Sequence, residues 1–465
     1  MNLAGKHVLV LGLGESGLAC ALWCGRQGAR VTVTDTRPAP PYLAELGRRL
    51  AGAEFRVARF DEQCDKTLLD GIDLLVLSPG LSGGLMLVMH ARAQGIPVTG
   101  EIELFAQGLR ALQQRVPVIA ITGTNGKTTT TALTGHLIAA SGRSVGVAGN
   151  ISPAALTALM DCLDRNALPR AWVLELSSFQ LETTETLNAA AATVLNVSDD
   201  HLDRYIDLAD YASAKARIFQ AQEGYEGVQV LNRQDARVKR MAIPGRRILT
   251  FGLDAPADAS DFGLRQNRGE AWLVQGDRFL LPVSELPITG LHNAANAMAA
   301  LALCAAVGID PVGLLPALRA FQGLPHRVEK VAEIAGVTFY DDSKGTNVGA
   351  TVAALRGMGC KSVVILGGDG KGQDFAPLKS AVASHARAVV LLGRDGPLIG
   401  KALAGCGVPV ESAADMDAAV QHAAALAQPG DTVLLSPACA SFDMFRNYEH
   451  RAEVFRTAVA RLARP

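Results

Sequence analysis

The chain has 465 residues, too many for a single hydrophobic core, so two to four domains are expected. Apolar residues make up 49% of it and glycine occurs 47 times, a composition suited to a globular α/β protein with many tight turns. Forty-four basic residues against 45 acidic ones leave a net charge of −1, which excludes a chain whose overall field draws in nucleic acid or an anionic membrane. The eight cysteines are scattered without a C-x-x-C pair and read as reduced thiols. The start, "MNLAGKHVLV", runs straight into a strand without a leader, and the weakly polar helical stretch from Ala294 to Val307 is interrupted by Asn296. A cytoplasmic protein without a membrane span is expected.

The first strand-like run, "HVLVLG", leads into Gly12-x-Gly14-x-x-Gly17 and a helical stretch over Leu18 to Gln27; a second run, "ARVTVTD", ends on Asp35. Strand, glycine turn, helix and acid in that order predict a nucleotide-binding turn. The glycines keep it tight, N–H groups at the helix start attract phosphate, and Asp35 stands where a ribose-binding carboxylate belongs. NAD is one ligand of such a turn, but the physics requires only a phosphate and a ribose. Further strand-like runs follow in "DLLVLSPGL" and "IPVTGEIELF", and the polar connector "QGLRALQQRVP" closes a first domain over residues 1–108.

Next comes "VPVIAITGTNGKTTT", a strand running into Gly123-Thr124-Asn125-Gly126-Lys127-Thr128 and then a helix. This is phosphate-loop logic: backbone N–H groups cradle phosphate, Lys127 neutralises β/γ charge, and the Thr128 hydroxyl can ligate Mg²⁺. Ile121 occupies the place of the first glycine of the usual motif, so the loop is a shorter G-x-x-G-K-T variant. With a second nucleotide-type site in the chain, a simple dehydrogenase leaves half the pattern unexplained. Two later strands, "AWVLELSSFQLE" and "ATVLNVSDDHLDRY", deliver Glu175 and then Asp199, Asp200 and His201 at their ends. Strand ends converge on the ligand crevice of a parallel sheet, so Glu175 and His201 are candidate metal ligands. Lys215, in "DYASAKARIF", reads from its neighbours as an ordinary solvated helical lysine, and Asn293 and Asn296 in "GLHNAANAMAA" read either as polar contacts for a base or as first-turn residues. The Gly-Leu-Pro at 323–325 ends a second domain over 109–323, and a third occupies 324–465. It carries "LPHRVE", "FYDDSKGTN", "LGGDGKGQDF" and "LLSPACASFDMFRNYEH", in which Arg327, Lys344 and Lys371 supply positive charge and Ser343, Thr346 and Ser441 hydroxyls. Such a set suits a small anionic substrate beside a γ-phosphate.

Together "ITGTNGKTTT", "LELSSFQLE", "NVSDDHLDRY", "GLHNAANAMAA", "GLPHRVE", "DDSKGTNVGAT", "LGGDGKGQDF" and "LSPACASFDMF" resemble the ATP-dependent Mur ligases of peptidoglycan synthesis, over nearly the whole chain. The "GLGESGL" start and the closing "SPACASFDMF" point to the branch that adds D-glutamate. The resemblance implies an α/β protein of three domains: an N-terminal Rossmann-like domain, a central P-loop ATPase-type parallel sheet, and a C-terminal Rossmann-like domain. It implies ATP and Mg²⁺ as cofactors, small-molecule substrates only, and a monomer. By it, Ser16, Asp35, Thr36, Arg37, Ser78 and Gly80 line a site for a UDP-sugar rather than a dinucleotide, with Asn150 and Ser177 nearer the acceptor. Gly123 to Thr128, Asn296, Arg327 and Asp342 hold ATP, while Thr346, Lys371, Ser441 and Phe442 place D-glutamate. Lys127, His201 and Lys215 become the catalytic set, with Thr128, Glu175, His201 and a carbamylated Lys215 on metal. Glu15, Phe442 and Tyr448 depart from the family pattern, Glu15 placing an acid beside the implied uracil site. The competing readings are an NAD(P)-dependent oxidoreductase, a sister or folylpolyglutamate-type ligase taking another amino acid, and a binding protein without chemistry, which has no need of a metal–lysine set.

Overall fold

Short β-branched and leucine-rich runs, cut off by glycine, proline or aspartate, form three sheets in the computed structural model, which describes residues 2–113, 116–200, 204–222 and 224–462. The first sheet comprises His7–Leu11 (β1), Arg30–Asp35 (β2), Glu54–Val57 (β3), Leu74–Leu77 (β4) and Val98–Thr99 (β5), all parallel in the order β3-β2-β1-β4-β5. The order reverses at β1, which opens a crevice beyond the carboxyl ends of β1 and β4. There the Ser78 hydroxyl donates to the Gly12 carbonyl at 3.0 Å. A Cβ on Gly17 would collide with that carbonyl, so only glycine lets the following helix, Glu15–Arg26, sit this close to the strand.

The second sheet is built on Val118–Thr122 (β6), Val145–Gly149 (β7), Ala171–Glu175 (β8), Ala191–Val194 (β9), Val228–Asn232 (β10) and Ile248–Phe251 (β11). It ends in an antiparallel meander of Phe262–Asn267 (β12), Glu270–Gln275 (β13) and Arg278–Pro282 (β14). Its order is β14-β13-β12-β11-β10-β9-β6-β8-β7, so β6, which feeds the phosphate loop, lies between the strands that deliver Glu175 and the Asn196–Asp200 segment. Glu329–Ile334 (β15), Val337–Asp341 (β16), Ser362–Gly367 (β17), Ala386–Leu392 (β18), Val410–Ser412 (β19) and Thr432–Leu435 (β20) form the third sheet, ordered β15-β16-β20-β17-β18-β19, with only β15 antiparallel. The α/β architecture with parallel-rich sheets is the one that the alternation of strand-like and helix-like runs implies. No helix among the described residues is long and apolar enough to cross a membrane.

One hydrophobic core serves the first two sheets together. Val8, Val10 and Trp23 join Leu159, Trp172 and Leu174 in a single cluster. The helix Glu101–Ala111, which runs through the connector at 108/109, sets Phe105 edge-on against Trp172 with ring centroids 5.1 Å apart. Two carboxylates lock the same interface: Glu15 accepts from the Ser152 hydroxyl and the Ala154 amide, and buried Glu101 accepts from the Leu156 amide. Both address the first turn of the helix Ala155–Asp164, where unpaired N–H groups favour negative charge. Because this core is shared, Phe105→Ala should cost about 3–5 kcal/mol, and circular dichroism during urea unfolding should show the first two sheets melting together in wild type and variant alike.

Candidate active site

The phosphate loop leaves β6 at Thr122 and enters the helix Lys127–Ala140 through Gly126, whose φ is 82°. A Cβ there would also collide with the side-chain oxygen of Asn296, so both the backbone and the packing require glycine. The neighbouring strand end holds the loop's shape: Asn196 gives its backbone carbonyl to the Thr124 amide and its side-chain oxygen to the Asn125 amide, each at 2.9 Å. Sequence reading did not single out Asn196, since a lone asparagine after a strand carries no distinguishing signal.

Two lysines converge on the loop. Lys127 Nζ donates to the carbonyls of Gly123 and Thr124, each at 2.9 Å, and Lys215 Nζ donates to the same Gly123 carbonyl at 3.0 Å. Lys215 is not a solvated surface charge. It is 1% exposed and lies 4.4 Å from the centre of the Tyr211 ring. The Ala214 and Ala216 that made it look ordinary leave room for the helix Leu208–Ala216 to press this face inward. Burial first, and then the charge of Lys127, pushes its amine well below the usual lysine range. Lys127 is lowered as well, chiefly by desolvation.

Two cavities border this loop, and a third adjoins the first of them. The first, about 270 Å³, is bounded by the loop, Glu175, Asp199 and Asp200 on one side and by Arg327, Lys344, Thr346 and Lys371 on the other. A second of about 230 Å³ holds Asn196, Phe251, His292, Asn293, Asn296 and Asp342, and it shares Arg327 and Lys344 with the first. The third, about 470 Å³, lies in the β1/β4 crevice against Gly14, Ser16, Asp35, Thr36, Arg37, Ser78 and Gly80, and it shares Asn150 with the first. Asn150 donates to Glu175 Oε1 at 2.7 Å. The other Glu175 oxygen, Oε2, is buried without a hydrogen-bond partner, which leaves one hard oxygen donor of the first cavity's lining unused. With the Thr128 hydroxyl in the same wall, this donor set fits a magnesium ion.

The third sheet reaches the loop through polar contacts. Arg327 donates to the Thr128 hydroxyl at 2.6 Å, and Asn125 and Asn347 exchange side-chain amide bonds at 3.1 and 3.3 Å. Lys344 lies 3.6 Å from the centre of the Tyr448 ring and, by desolvation and then the Arg327 charge, is brought down to about 8.

Most residues singled out from sequence therefore line these adjoining cavities, but not all do; buried Lys215 lines none of them. Ser177 closes a capping box with Gln180 at the start of the helix Ser178–Leu181 and lines none of the three cavities. Ser441 is buried, its carbonyl accepting from the amides of Met444 and Phe445, and Phe442 is 69% exposed; neither lines the first cavity, where Thr346 and Lys371 do. His201 lies outside the described residues. Asp35 is fully engaged, accepting from the Leu13 amide, the Arg37 amide and the Arg37 guanidinium, which together hold it near 2. A carboxylate so occupied orders the loop and presents Arg37, rather than standing free for the ribose of NAD. Glu15 spends one oxygen on the central domain, so the acid that departs from the family pattern has a partner of its own.

Family models describe the chain in three pieces: the N-terminal domain of MurD-like Mur ligases over residues 6–100, the Mur ligase middle domain over 121–304, and the Mur ligase glutamate ligase domain over 326–439. It is 59% identical to the UDP-N-acetylmuramoylalanine--D-glutamate ligase of Aromatoleum aromaticum, across 99% of this chain and 98% of that protein. Its identity to the enzyme of the same name from Dechloromonas aromatica is 56%, across 99% of both chains. Among solved structures, MurF from Acinetobacter baumannii superimposes with a TM-score of 0.61 at 18% identity, across 99% of this chain and 91% of that one, a likeness of fold.

Asp342 gives the site a pH signature. It is buried, accepting from the Ser436 hydroxyl at 2.7 Å, and burial pushes its carboxyl up to about 7. The folded chain then holds a proton that the unfolded chain releases near pH 4, so stability declines as pH rises through the window from 4 to 7. Relative to Asp342→Asn, the wild type should lose up to about 1.4 kcal/mol per pH unit between pH 5 and 7, measured by chemical denaturation at each pH.

Proposed function

Because the chain belongs to the Mur ligase family, we propose that it joins D-glutamate to UDP-N-acetylmuramoyl-L-alanine in an ATP-driven amide ligation, a step of peptidoglycan precursor synthesis in the cytoplasm. The observation that carries this reading is that the three cavities adjoin, sharing Asn150 as a wall on one side and Arg327 and Lys344 on the other. An extended nucleotide-sugar laid along the third cavity brings its alanyl carboxylate to the first. An adenine nucleotide in the second brings its γ-phosphate there from the opposite side.

In the first step a carboxylate oxygen of the substrate attacks the γ-phosphorus, the bond from phosphorus to the β-bridging oxygen breaks, and ADP leaves behind an acyl phosphate. The neutral amine of D-glutamate, its ammonium proton lost to solvent, then attacks the acyl carbon. The bond from that carbon to the phosphate oxygen breaks, and the nitrogen gives up a second proton, which leaves with the phosphate, so that the amide remains. Two anions must approach each other in the first step, a repulsion of roughly 4 kcal/mol per charge pair at about 4 Å and an effective dielectric near 20. Lys127 offsets it: with phosphate present, the ammonium that now rests on the Gly123 and Thr124 carbonyls has a stronger acceptor within reach. Arg327 and Lys344, shared by the first two cavities, add charge at the leaving side, and Asp342 and Asn296 hold the nucleoside. Thr346 and Lys371, in the wall of the first cavity with Glu175, receive the D-glutamate carboxylates; Ser441 and Phe442, implied for the same role by the resemblance, line no part of that cavity. Thr128, Glu175, His201 and carbamylated Lys215 would hold magnesium, which when bound supplies positive charge to the transferring phosphoryl group. The lowered basicity of Lys215 supports its place in that set, since carbamate forms from the neutral amine and carbon dioxide and turns a cation into an oxygen ligand.

Phosphate release should require ATP, the UDP-sugar and D-glutamate together, with L-glutamate inactive; release with another amino acid instead would assign a sister activity. Lys127→Ala should lower kcat by about 10³-fold or more while leaving the Kd for the UDP-sugar, read by titration calorimetry, nearly unchanged. Enzyme stripped of carbon dioxide should lose activity and regain it on adding bicarbonate, whereas Lys215→Ala should be inactive at every bicarbonate concentration; an active Lys215→Ala enzyme would remove that lysine from the mechanism.

A further inference from the structure

Two residues of the "DDHLDRY" motif, Arg204 and Tyr205, have no part in the steps above. Both fasten to the central domain just beyond β8. Tyr205 Oη donates to Glu182 Oε1 and Arg204 Nη2 to Glu182 Oε2, each at 2.8 Å, and the guanidinium lies 4.3 Å from the centre of the Phe179 ring. The same guanidinium crosses into the first domain, donating to the Pro79 carbonyl at 3.3 Å and the Leu81 carbonyl at 2.9 Å. Pro79 and Leu81 belong to the turn after β4 that forms one wall of the third cavity. The Arg204 side chain is 11% exposed, so it is held in one place and little screened. A planar fork that binds two carbonyls, a carboxylate and an aromatic face is a geometry that a lysine does not reproduce.

From this juxtaposition we propose that Arg204 is a positioning residue for the UDP-sugar substrate. It pins the 78–81 turn of the first domain to the central-domain segment that follows Glu175, and thereby sets the distance between the nucleotide end of the substrate and its reacting carboxylate. The proposal rests on the function given above, because it needs a ligand that spans the third and first cavities. The shared core holds the two domains together at the opposite side of the crevice; Arg204 fixes the turn that the ligand itself touches. Without the fork the turn keeps bonds within the first domain, such as those from the Ser78 hydroxyl to the Gly12 carbonyl and from the Leu81 amide to the Ser78 carbonyl, each at 3.0 Å. A substrate carboxylate displaced by a fraction of an ångström from the γ-phosphate loses much of its rate.

The test uses the full chain with Arg204→Lys and Arg204→Met, and Arg26→Ala as a control that removes an exposed ion pair to Asp164 across the same two domains. Titration calorimetry with UDP-N-acetylmuramoyl-L-alanine, without ATP, reads binding; phosphate release reads KM for each substrate; thermal melting reads folding. Both Arg204 variants should weaken UDP-sugar binding and raise its KM by about 10- to 100-fold, with the KM for ATP within about 2-fold of wild type and Arg26→Ala unchanged throughout. Should Arg204→Met not fold, Arg204→Lys decides the matter, since it keeps the charge and the stem. Unchanged UDP-sugar affinity in a folded Arg204→Lys enzyme overturns the proposal, as does an equal rise in the KM for ATP, which would mark general loosening. A wild-type chain that binds the UDP-sugar in an Arg204-dependent way yet releases no phosphate with D-glutamate overturns the ligase reading and leaves the positioning role standing.

Discussion

The carbonyl oxygen of Gly123 accepts hydrogen bonds from two lysine side chains, Lys127 in the wall of the first cavity and Lys215 buried behind it. Much of the site follows from that concentration of charge. Beyond desolvation, Lys127 weakens the basicity of Lys215, Arg327 weakens that of Lys127, and Arg327 and Lys127 both weaken that of Lys344. Glu175 and Asp200 oppose these effects on Lys127 and Lys215 from the central sheet. A cluster of cations gathered in low dielectric is costly unless anions complete it. The loop is thus built to be finished by phosphate, and the fold supplies the rigidity that keeps the cations from relaxing apart.

That rigidity is uneven. The first two sheets share a hydrophobic core and are locked by Glu15 and Glu101 at the start of one helix, so the third cavity and the phosphate loop keep a fixed relation. The third sheet packs around cores of its own and meets the loop through Arg327, Asn125 and Asn347. Apolar burial binds one interface and a handful of directional bonds the other. The chain therefore divides into a solid platform for the long nucleotide-sugar and a polar-jointed unit that brings Lys344, Thr346 and Lys371 to it. Such joints are where domain motion belongs, since few bonds must break for it.

The alternation of strands and helices and the phosphate loop were legible because both rest on local physics: apolar runs of strand length, and glycines where a turn must tighten. The ligand of the Gly12 turn was not, because the decisive fact is where Asp35 spends its hydrogen bonds, and Arg37, two residues on, takes most of them. Lys215 misled for a related reason. Its sequence neighbours describe a solvated helix, whereas Tyr211 and the Gly123 carbonyl, which bury it, come from four residues away on the same helix and from a different segment altogether. Only the family resemblance gave it a role. Asn196, Asn347 and Arg204 act by bridging segments distant in sequence, and nothing in their immediate surroundings announces that. Ser177 is the reverse case: S-x-x-Q is readable as a capping box, and the capping accounts for its contacts without a ligand.

The paired amides of Asn125 and Asn347 carry a further consequence. The bonds they exchange join two uncharged groups, unlike that of the neighbouring Arg327, which brings a charge to the Thr128 hydroxyl. Hydrogen bonds between neutral groups are nearly indifferent to dissolved ions, while the attraction of the cationic loop for its anionic ligands is screened by them. A rise in ionic strength therefore weakens capture of the substrates while leaving the Asn125–Asn347 pair of the joint almost untouched.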